Sequence, residues 1–78
     1  MRHIEEIFTD KDLSFLDKEY DDFVKKKKKY LETRTTDDYL KLTFVFAAID
    51  ASLKMQLSNG YLSLNELWDI RASLREGL

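Results

Sequence analysis

Apolar residues dominate one segment of the chain, residues 39–57, whose charged side chains are only Lys41, Asp50 and Lys54. On an α-helix these apolar residues form a main stripe and a second stripe. The main stripe consists of Leu42, Val45, Phe46, Ile49 and Leu53, and the second of Leu40, Phe44 and Ala48. A helix that is apolar on nearly every side is typically buried. We therefore predict that this helix lies at the centre of an all-α fold, with the other segments packed around it.

This apolar segment also has almost the length of a membrane-spanning helix. Its three charges, one of them near the middle, argue against a position in a bilayer. Ala47, Ala48 and Ala51 are small enough to let a neighbouring helix approach closely. We therefore expect helix packing and no membrane span.

Two helices are predicted before this segment. Residues 2–8 place their apolar side chains on one side of a short first helix. Thr9, followed three residues later by Asp12, has the spacing of a capping box, in which two side chains satisfy free backbone groups at a helix start. We expect this pair to open a second helix that ends near Thr33.

The same spacing marks the starts of the third and fourth helices. Thr35 and Asp38 are predicted to open the third helix, and Gly60 to end it, because glycine adopts positive φ at little cost. Ser63 and Glu66 form a capping box for the fourth helix. Because the connections are short, we expect a compact antiparallel bundle of three long helices plus a short N-terminal helix, with the third helix central.

The 78 residues are expected to form one domain, residues 1–78, of modest stability. The bulk of its core should come from Phe8, Phe15, Phe23, Phe44, Phe46 and Trp68. On the fourth helix, Leu64, Leu67 and Leu74 should be buried. The absence of cysteine excludes disulfides and thiolate metal sites. The N-terminal residues lack the long apolar run of a signal peptide, which favours a cytoplasmic location.

The net charge of −2 conceals an uneven distribution. Residues 1–22 carry eight acidic and three basic residues, a balance of −5, whereas residues 23–34 carry six basic residues and one acidic residue, a balance of +5. Five of the basic residues form a lysine run, Lys25, Lys26, Lys27, Lys28 and Lys29. Consecutive residues point to every face of a helix, so the run is typical of a solvated helix end. Phosphate binding is the alternative interpretation.

Few residues suggest catalysis or metal binding. His3 is the single histidine, there is no glycine-rich phosphate loop, and no pair of carboxylates stands in an apolar setting that would tune its pKa. Residues 59–66 imitate the second half of a calcium-binding EF-hand loop, but Met55 and Leu57 stand where the first carboxylates should be. We therefore expect no enzyme activity, no metal and no cofactor.

Two single residues have two interpretations each. Asp50 either forms an ion pair with Lys54, one turn along the helix, or makes a polar contact buried in the bundle or at a partner surface. Trp68 either closes the edge of the core or is exposed beside Arg71 and Arg75, as part of a binding surface.

The pattern of residues 38–74 resembles the second half of small bacterial immunity proteins of the pediocin and colicin D types, which protect a bacteriocin producer from its own toxin. The shared features are an aromatic-rich third helix, a polar turn at residues 58–60, an apolar residue and cap at Leu62 and Ser63, and a last amphipathic helix. The resemblance implies a cytoplasmic protein that acts by binding a protein partner, without catalysis. Independently of the resemblance, we expect a monomer or weak dimer.

The resemblance also implies which residues bind the partner. In pediocin-type members the last helix and the tail determine which toxin is recognised, which here points to Trp68, Asp69, Arg71 and Arg75. In nuclease-inhibiting members acidic side chains occupy the toxin's RNA-binding site, and the corresponding residues here are Asp17, Glu19, Asp21 and Asp22.

An alternative resemblance concerns residues 47–50 and Leu53, which are similar to part of the Hha-type nucleoid regulators. It implies a small nucleic-acid-associated modulator that acts through a protein partner, with the lysine run as its basic surface. A phage or mobile-element protein that inhibits a host factor is equally compatible with the sequence.

Overall fold

The computed structural model describes residues 4–78, and every regular element in that range is helical. The helices are α1 (Ile4–Asp10), α2 (Asp17–Thr33), α3 (Thr36–Ser58) and α4 (Leu64–Arg75), with a short 3₁₀ turn (Ser14–Leu16) before α2. The predicted all-α class is therefore confirmed. The predicted start of the first helix at residue 2, and His3, lie outside the described residues. Between residues 4 and 78, no helix combines the length and the apolar character needed to cross a bilayer.

The predicted cap at Thr9 is wrong. Thr9 lies within α1, and its hydroxyl donates a hydrogen bond to the carbonyl oxygen of Glu5 at 3.0 Å. Asp12 lies in the following turn with a φ of 52°, a left-handed conformation that short polar side chains tolerate better than most. The chain then makes a 3₁₀ turn before α2 begins at Asp17. The break between α1 and α2 is therefore a turn of several residues and not the single capping box that we predicted.

The turn between α2 and α3 follows the prediction. Helix α2 ends at Thr33, and Arg34 reverses the chain with a φ of 54°. The hydroxyl of Thr35 accepts a hydrogen bond from the backbone N–H of Asp38 at 3.3 Å and donates one to the Asp38 carboxylate at 2.9 Å. Hydrogen bonds from Thr33 and then from Thr35 lower the pKa of Asp38. The turn is therefore held by side chains from both helices.

The turn between α3 and α4 is also as predicted. Gly60 has a φ of 80°, which glycine adopts without strain. The Ser63 hydroxyl accepts from the backbone N–H of Glu66 at 3.2 Å, and the Glu66 carboxylate accepts from the backbone N–H of Ser63 at 3.0 Å. Lys11, in the turn after α1, lies 3.3 Å from the same carboxylate. Glu66 therefore caps α4 and links it to the turn that follows α1.

One cluster of buried side chains holds the helices together. Helix α3 packs against α2 and α4, and α1 packs against α4. The buried apolar residues are Ile4, Ile7, Phe8, Leu13, Leu16, Phe23, Leu42, Ile49, Leu53, Leu62, Leu67, Ile70 and Leu74. The main stripe of α3 faces this core, with Val45 and Phe46 half-buried at its edge.

The prediction that α3 is buried on all sides is wrong. Its second stripe is exposed, and Phe44 is 77% accessible to solvent. Phe15, Leu64 and Trp68, predicted as core residues, are also more than half exposed. The reason is the small number of elements: α2 and α4 cover one side of a 23-residue helix, and α1 packs against α4, not against the outer side of α3.

Candidate functional site

Asp50 of α3 and Arg71 of α4 form a two-point ion pair between their helices. Nε of Arg71 lies 2.7 Å from Oδ1 of Asp50, and Nη2 lies 3.1 Å from Oδ2. Lys54 adds a third contact at 3.2 Å. The side chains of Asp50 and Arg71 are only 13% and 17% exposed, so solvent screens this pair weakly. Asp50 therefore makes both predicted contacts, and the inter-helix contact is the more shielded.

The ion pair fixes the surroundings of Trp68. The guanidinium carbon of Arg71 lies 5.3 Å from the centre of the indole ring, within the range of a cation–π contact. Trp68 is nevertheless 54% exposed. Leu64 and Ala72, one turn before and one turn after it, are exposed as well. These three residues, here called the α4 ridge, form an apolar line on the outer side of α4.

The ion pair makes stability depend on pH. Burial raises the pKa of Asp50, but the hydrogen bonds and charges of Arg71 and Lys54 outweigh burial, and the pKa is lowered below the ordinary 3.8. A carboxylate whose pKa is lower in the folded than in the unfolded state stabilises the fold above its unfolded-state pKa. This contribution is lost as the pH falls through the folded-state pKa, below 3.8.

We expect Asp50→Asn to lower the free energy of unfolding by about 1–3 kcal/mol at pH 7, because it removes a shielded charged hydrogen-bond partner of Arg71. Asp37→Asn is the matched control, since Asp37 pairs with Lys41 in the same i,i+4 geometry at 3.2 Å but its side chain is 80% exposed. Asp37→Asn should lower the free energy of unfolding by less than about 0.5 kcal/mol. Urea unfolding between pH 7 and pH 2.5 measures both. The Asp50→Asn deficit should shrink in acid, and a deficit that does not change with pH would contradict the ion-pair explanation.

The predicted acidic residues of α2 lie on different sides of the helix. Asp17 and Asp21 line a shallow groove with Glu5 of α1, around the ring of Tyr20. Burial raises the pKa of Tyr20, and the carboxylates of Glu5 and Asp21 raise it further. These three carboxylates, Glu5, Asp17 and Asp21, are here called the acidic cluster.

The other two predicted acidic residues lie in a neighbouring groove that shares Asp21 with this cluster. Glu19 and Asp22 border a second shallow groove, together with Asp21, Lys18 and Lys25. Asp22 also forms an i,i+4 ion pair with Lys26. Basic side chains therefore offset part of the negative charge in this groove, whereas the described residues that line the groove of the acidic cluster include no lysine or arginine.

The lysine run is spread around α2. Lys25, Lys28 and Lys29 are exposed. The amino group of Lys27 lies 5.9 Å from the centre of the Phe23 ring, and burial lowers the pKa of Lys27. Such a distribution is typical of a solvated helix end and does not form one groove-reading face.

The two remaining predicted binding residues of α4, Asp69 and Arg75, also lie close to other parts of the chain. Asp69 is half-buried. The guanidinium of Arg75 lies 5.2 Å from the centre of the Phe46 ring. Arg75 and Phe46 border a groove of about 470 Å³ between α2 and α3, and the other lining residues are Phe23, Tyr30, Tyr39, Leu42, Thr43 and Leu78. In residues 4–78 there is no group of three or more side chains suited to hold a metal ion.

The sequence did not reveal two features of these surfaces. The contact of Asp50 with Arg71 joins residues 21 positions apart, and no local spacing encodes it. Glu5 joins the acidic cluster because α1 lies beside the start of α2. Comparisons with protein-family models, curated proteins and solved structures found no match to this chain. The resemblance to immunity proteins therefore stays a prediction from the sequence pattern.

Proposed function

We propose that this chain is a non-catalytic protein-binding domain, an immunity or inhibitor protein that neutralises a toxin or another protein target by direct binding. The main binding surface is the α4 ridge with Trp68 at its centre. The acidic cluster is a second contact that attracts a basic region of the partner. The proposal includes the antiparallel order of consecutive helices, a cytoplasmic location and a bacterial origin.

The observation that carries the proposal is an exposed tryptophan in a fixed setting. Trp68 is 54% exposed, and its neighbour Arg71 is held by the two-point contact with Asp50. Tryptophan and arginine are the residues most enriched in binding hot spots. Because the contact with Asp50 already holds Arg71 in place, the side chains around Trp68 lose little conformational freedom when a partner covers them. An apolar pocket on a protein partner is the chemical complement of this ridge.

The acidic cluster supports a protein partner with a basic region. Three carboxylates at the junction of α1 and α2 give this end of the domain a negative potential, which speeds the approach of a positively charged surface. The same charge opposes the approach of a nucleic acid. For the nucleic-acid-associated alternative the basic surface is the lysine run, of which Lys26 is paired with Asp22.

The proposal predicts capture of a protein partner that depends on Trp68. Immobilised parent chain, Trp68→Ala and the control Tyr61→Ala are exposed to lysate of the source organism, with and without nuclease. Tyr61 is a suitable control because it is 66% exposed and lies outside the α4 ridge.

We expect a protein that the parent chain and Tyr61→Ala retain and that Trp68→Ala loses, whether or not nuclease is present. Retention of the same proteins by all three baits, or no retained protein, contradicts the α4 ridge as the binding surface. Capture that nuclease abolishes favours the nucleic-acid-associated alternative.

A further inference from the structure

Helix α3 carries an apolar stripe that the described part of the fold leaves uncovered. It consists of Leu40, Phe44, Ala47, Ala48, Ala51 and Met55, all of them exposed. At 100° per residue these six positions lie within about 100° of one another, on the side opposite the buried Leu42, Ile49 and Leu53. A contiguous apolar stripe of this width is typical of a helix face that packs against another helix. Within residues 4–78, α2 and α4 cover the other side of α3.

The stripe is symmetric about its own midpoint. Leu40 and Met55 are equally far from the point between Ala47 and Ala48, and so are Phe44 and Ala51. A two-fold dimer interface requires a patch that is complementary to itself after rotation. If two α3 helices meet antiparallel at this midpoint, Phe44 of each copy faces Ala51 of the other, so that a large side chain meets a small one.

We propose that this stripe is the interface of an antiparallel homodimer, in which a second copy of this chain covers the outer side of α3. Ala47 and Ala48 lie at the two-fold axis and let the helix axes approach to about 8 Å. Leu40 of one copy packs on Met55 of the other. This proposal is independent of the proposed function, because the α4 ridge and the acidic cluster take no part in the interface.

The area of the stripe suits a weak dimer. Phe44, Met55 and Leu40 are 77%, 65% and 51% exposed. With the three alanines they offer roughly 500 Å² on each copy, or about 1,000 Å² in total, which is at the lower limit for a specific interface. An interface of this small size is typical of a weak or transient contact, so we expect a dimer that dissociates on dilution.

The charges around the stripe fit an antiparallel pair. Lys41 and Lys54 flank the stripe on opposite sides, and each forms an ion pair with an acidic residue of its own helix at 3.2 Å. In the antiparallel arrangement the two lysines at the same height lie on opposite edges, so that no like charges face each other. The helix dipoles also run in opposite directions, which is the favourable alignment for neighbouring helices. A parallel two-fold pair would also keep the lysines on opposite edges, but it would lose the favourable alignment of the dipoles.

Cysteine cross-linking tests the arrangement directly, because the chain contains no cysteine. Near the two-fold axis, Ala48→Cys should link to itself in a glutathione redox buffer. Leu40→Cys should not, since two Leu40 positions are about 22 Å apart at 1.5 Å per residue, beyond the reach of a disulfide. An equal mixture of Leu40→Cys and Met55→Cys should form the mixed dimer. Phe15→Cys is the control for random collision, because Phe15 is 55% exposed and lies outside the stripe.

Phe44→Glu in the Ala48→Cys background should reduce linkage at least tenfold while leaving the circular dichroism spectrum unchanged. Sedimentation equilibrium of the parent chain should show a mass that rises from 9.3 kDa towards twice that value between about 1 μM and 1 mM. A parent mass that stays monomeric up to 1 mM, or Ala48→Cys linkage no greater than that of Phe15→Cys, overturns the dimer. If Leu40→Cys alone forms a disulfide as readily as the mixture of Leu40→Cys and Met55→Cys, the antiparallel order is overturned.

Discussion

Phe23→Ala should lower the free energy of unfolding by about 3–5 kcal/mol, the usual cost of removing a fully buried aromatic ring. Phe23 is 1% exposed, and its ring lies 6.3 Å from that of Phe46, between α2 and α3. A domain of this length has a total stability of only about 4–12 kcal/mol at the usual contribution per residue. The substitution should therefore remove a large share of the total stability and should unfold the domain if that total lies near the lower end of the range, as measured by thermal and urea unfolding.

Two other phenylalanines provide a graded control for this prediction. Phe46 is half-buried, so Phe46→Ala should lower the free energy of unfolding by less than Phe23→Ala does. Phe15 is 55% exposed, and Phe15→Ala should change the free energy of unfolding by less than about 1 kcal/mol. If Phe15→Ala is as destabilising as Phe23→Ala, the assignment of the core is wrong.

The elements that short-range signals encode were predicted well from the sequence. The end of α2 at Thr33, the caps at Thr35 and Ser63, and the stop at Gly60 each depend on residues within four positions of one another. Such signals act through local hydrogen bonds and backbone preferences, so they do not require knowledge of the tertiary structure. The failed cap at Thr9 shows their limit, because its hydroxyl binds the backbone of α1 instead.

The sides on which α3 is buried could not be predicted in the same way. Both of its stripes are apolar, and the sequence pattern does not state how many helices are available to cover them. Phe44 and Ile49 belong to equally apolar stripes, yet Phe44 is 77% exposed and Ile49 is fully buried. The difference arises from the packing of α1 against α4, which is a long-range property of the fold.

The candidate site also combines features that depend on local sequence with features that depend on tertiary packing. The angular offset of Trp68 from Leu67 left two interpretations open, the edge of the core and an exposed binding surface, and the sequence analysis counted Trp68 as a core residue. The structure leaves 54% of its side chain exposed. The contact that fixes Arg71 joins two helices and became visible only in the structure. It also changes the design of binding experiments, since Arg71→Ala leaves Asp50 without its main partner and disturbs the fold. Trp68→Ala is the cleaner test of the binding surface.

The second large effect concerns Trp68. Trp68→Ala should weaken binding to the captured partner by more than about 2 kcal/mol, or roughly 30-fold, because it removes the largest exposed apolar group of the α4 ridge. The fold should be retained, since 54% of the side chain already faces solvent. The change should increase the dissociation rate more than it slows association, because the acidic cluster that attracts the partner is unchanged.

The most direct test of the proposed protein-binding function is isothermal titration of the purified partner into the parent chain, Trp68→Ala and Tyr61→Ala at one ionic strength. We expect a folded Trp68→Ala to bind at least 30-fold more weakly and Tyr61→Ala to bind like the parent chain. Equal affinity for all three, together with duplex-DNA binding that disappears when Lys25, Lys28 and Lys29 are replaced by glutamine, would contradict this expectation.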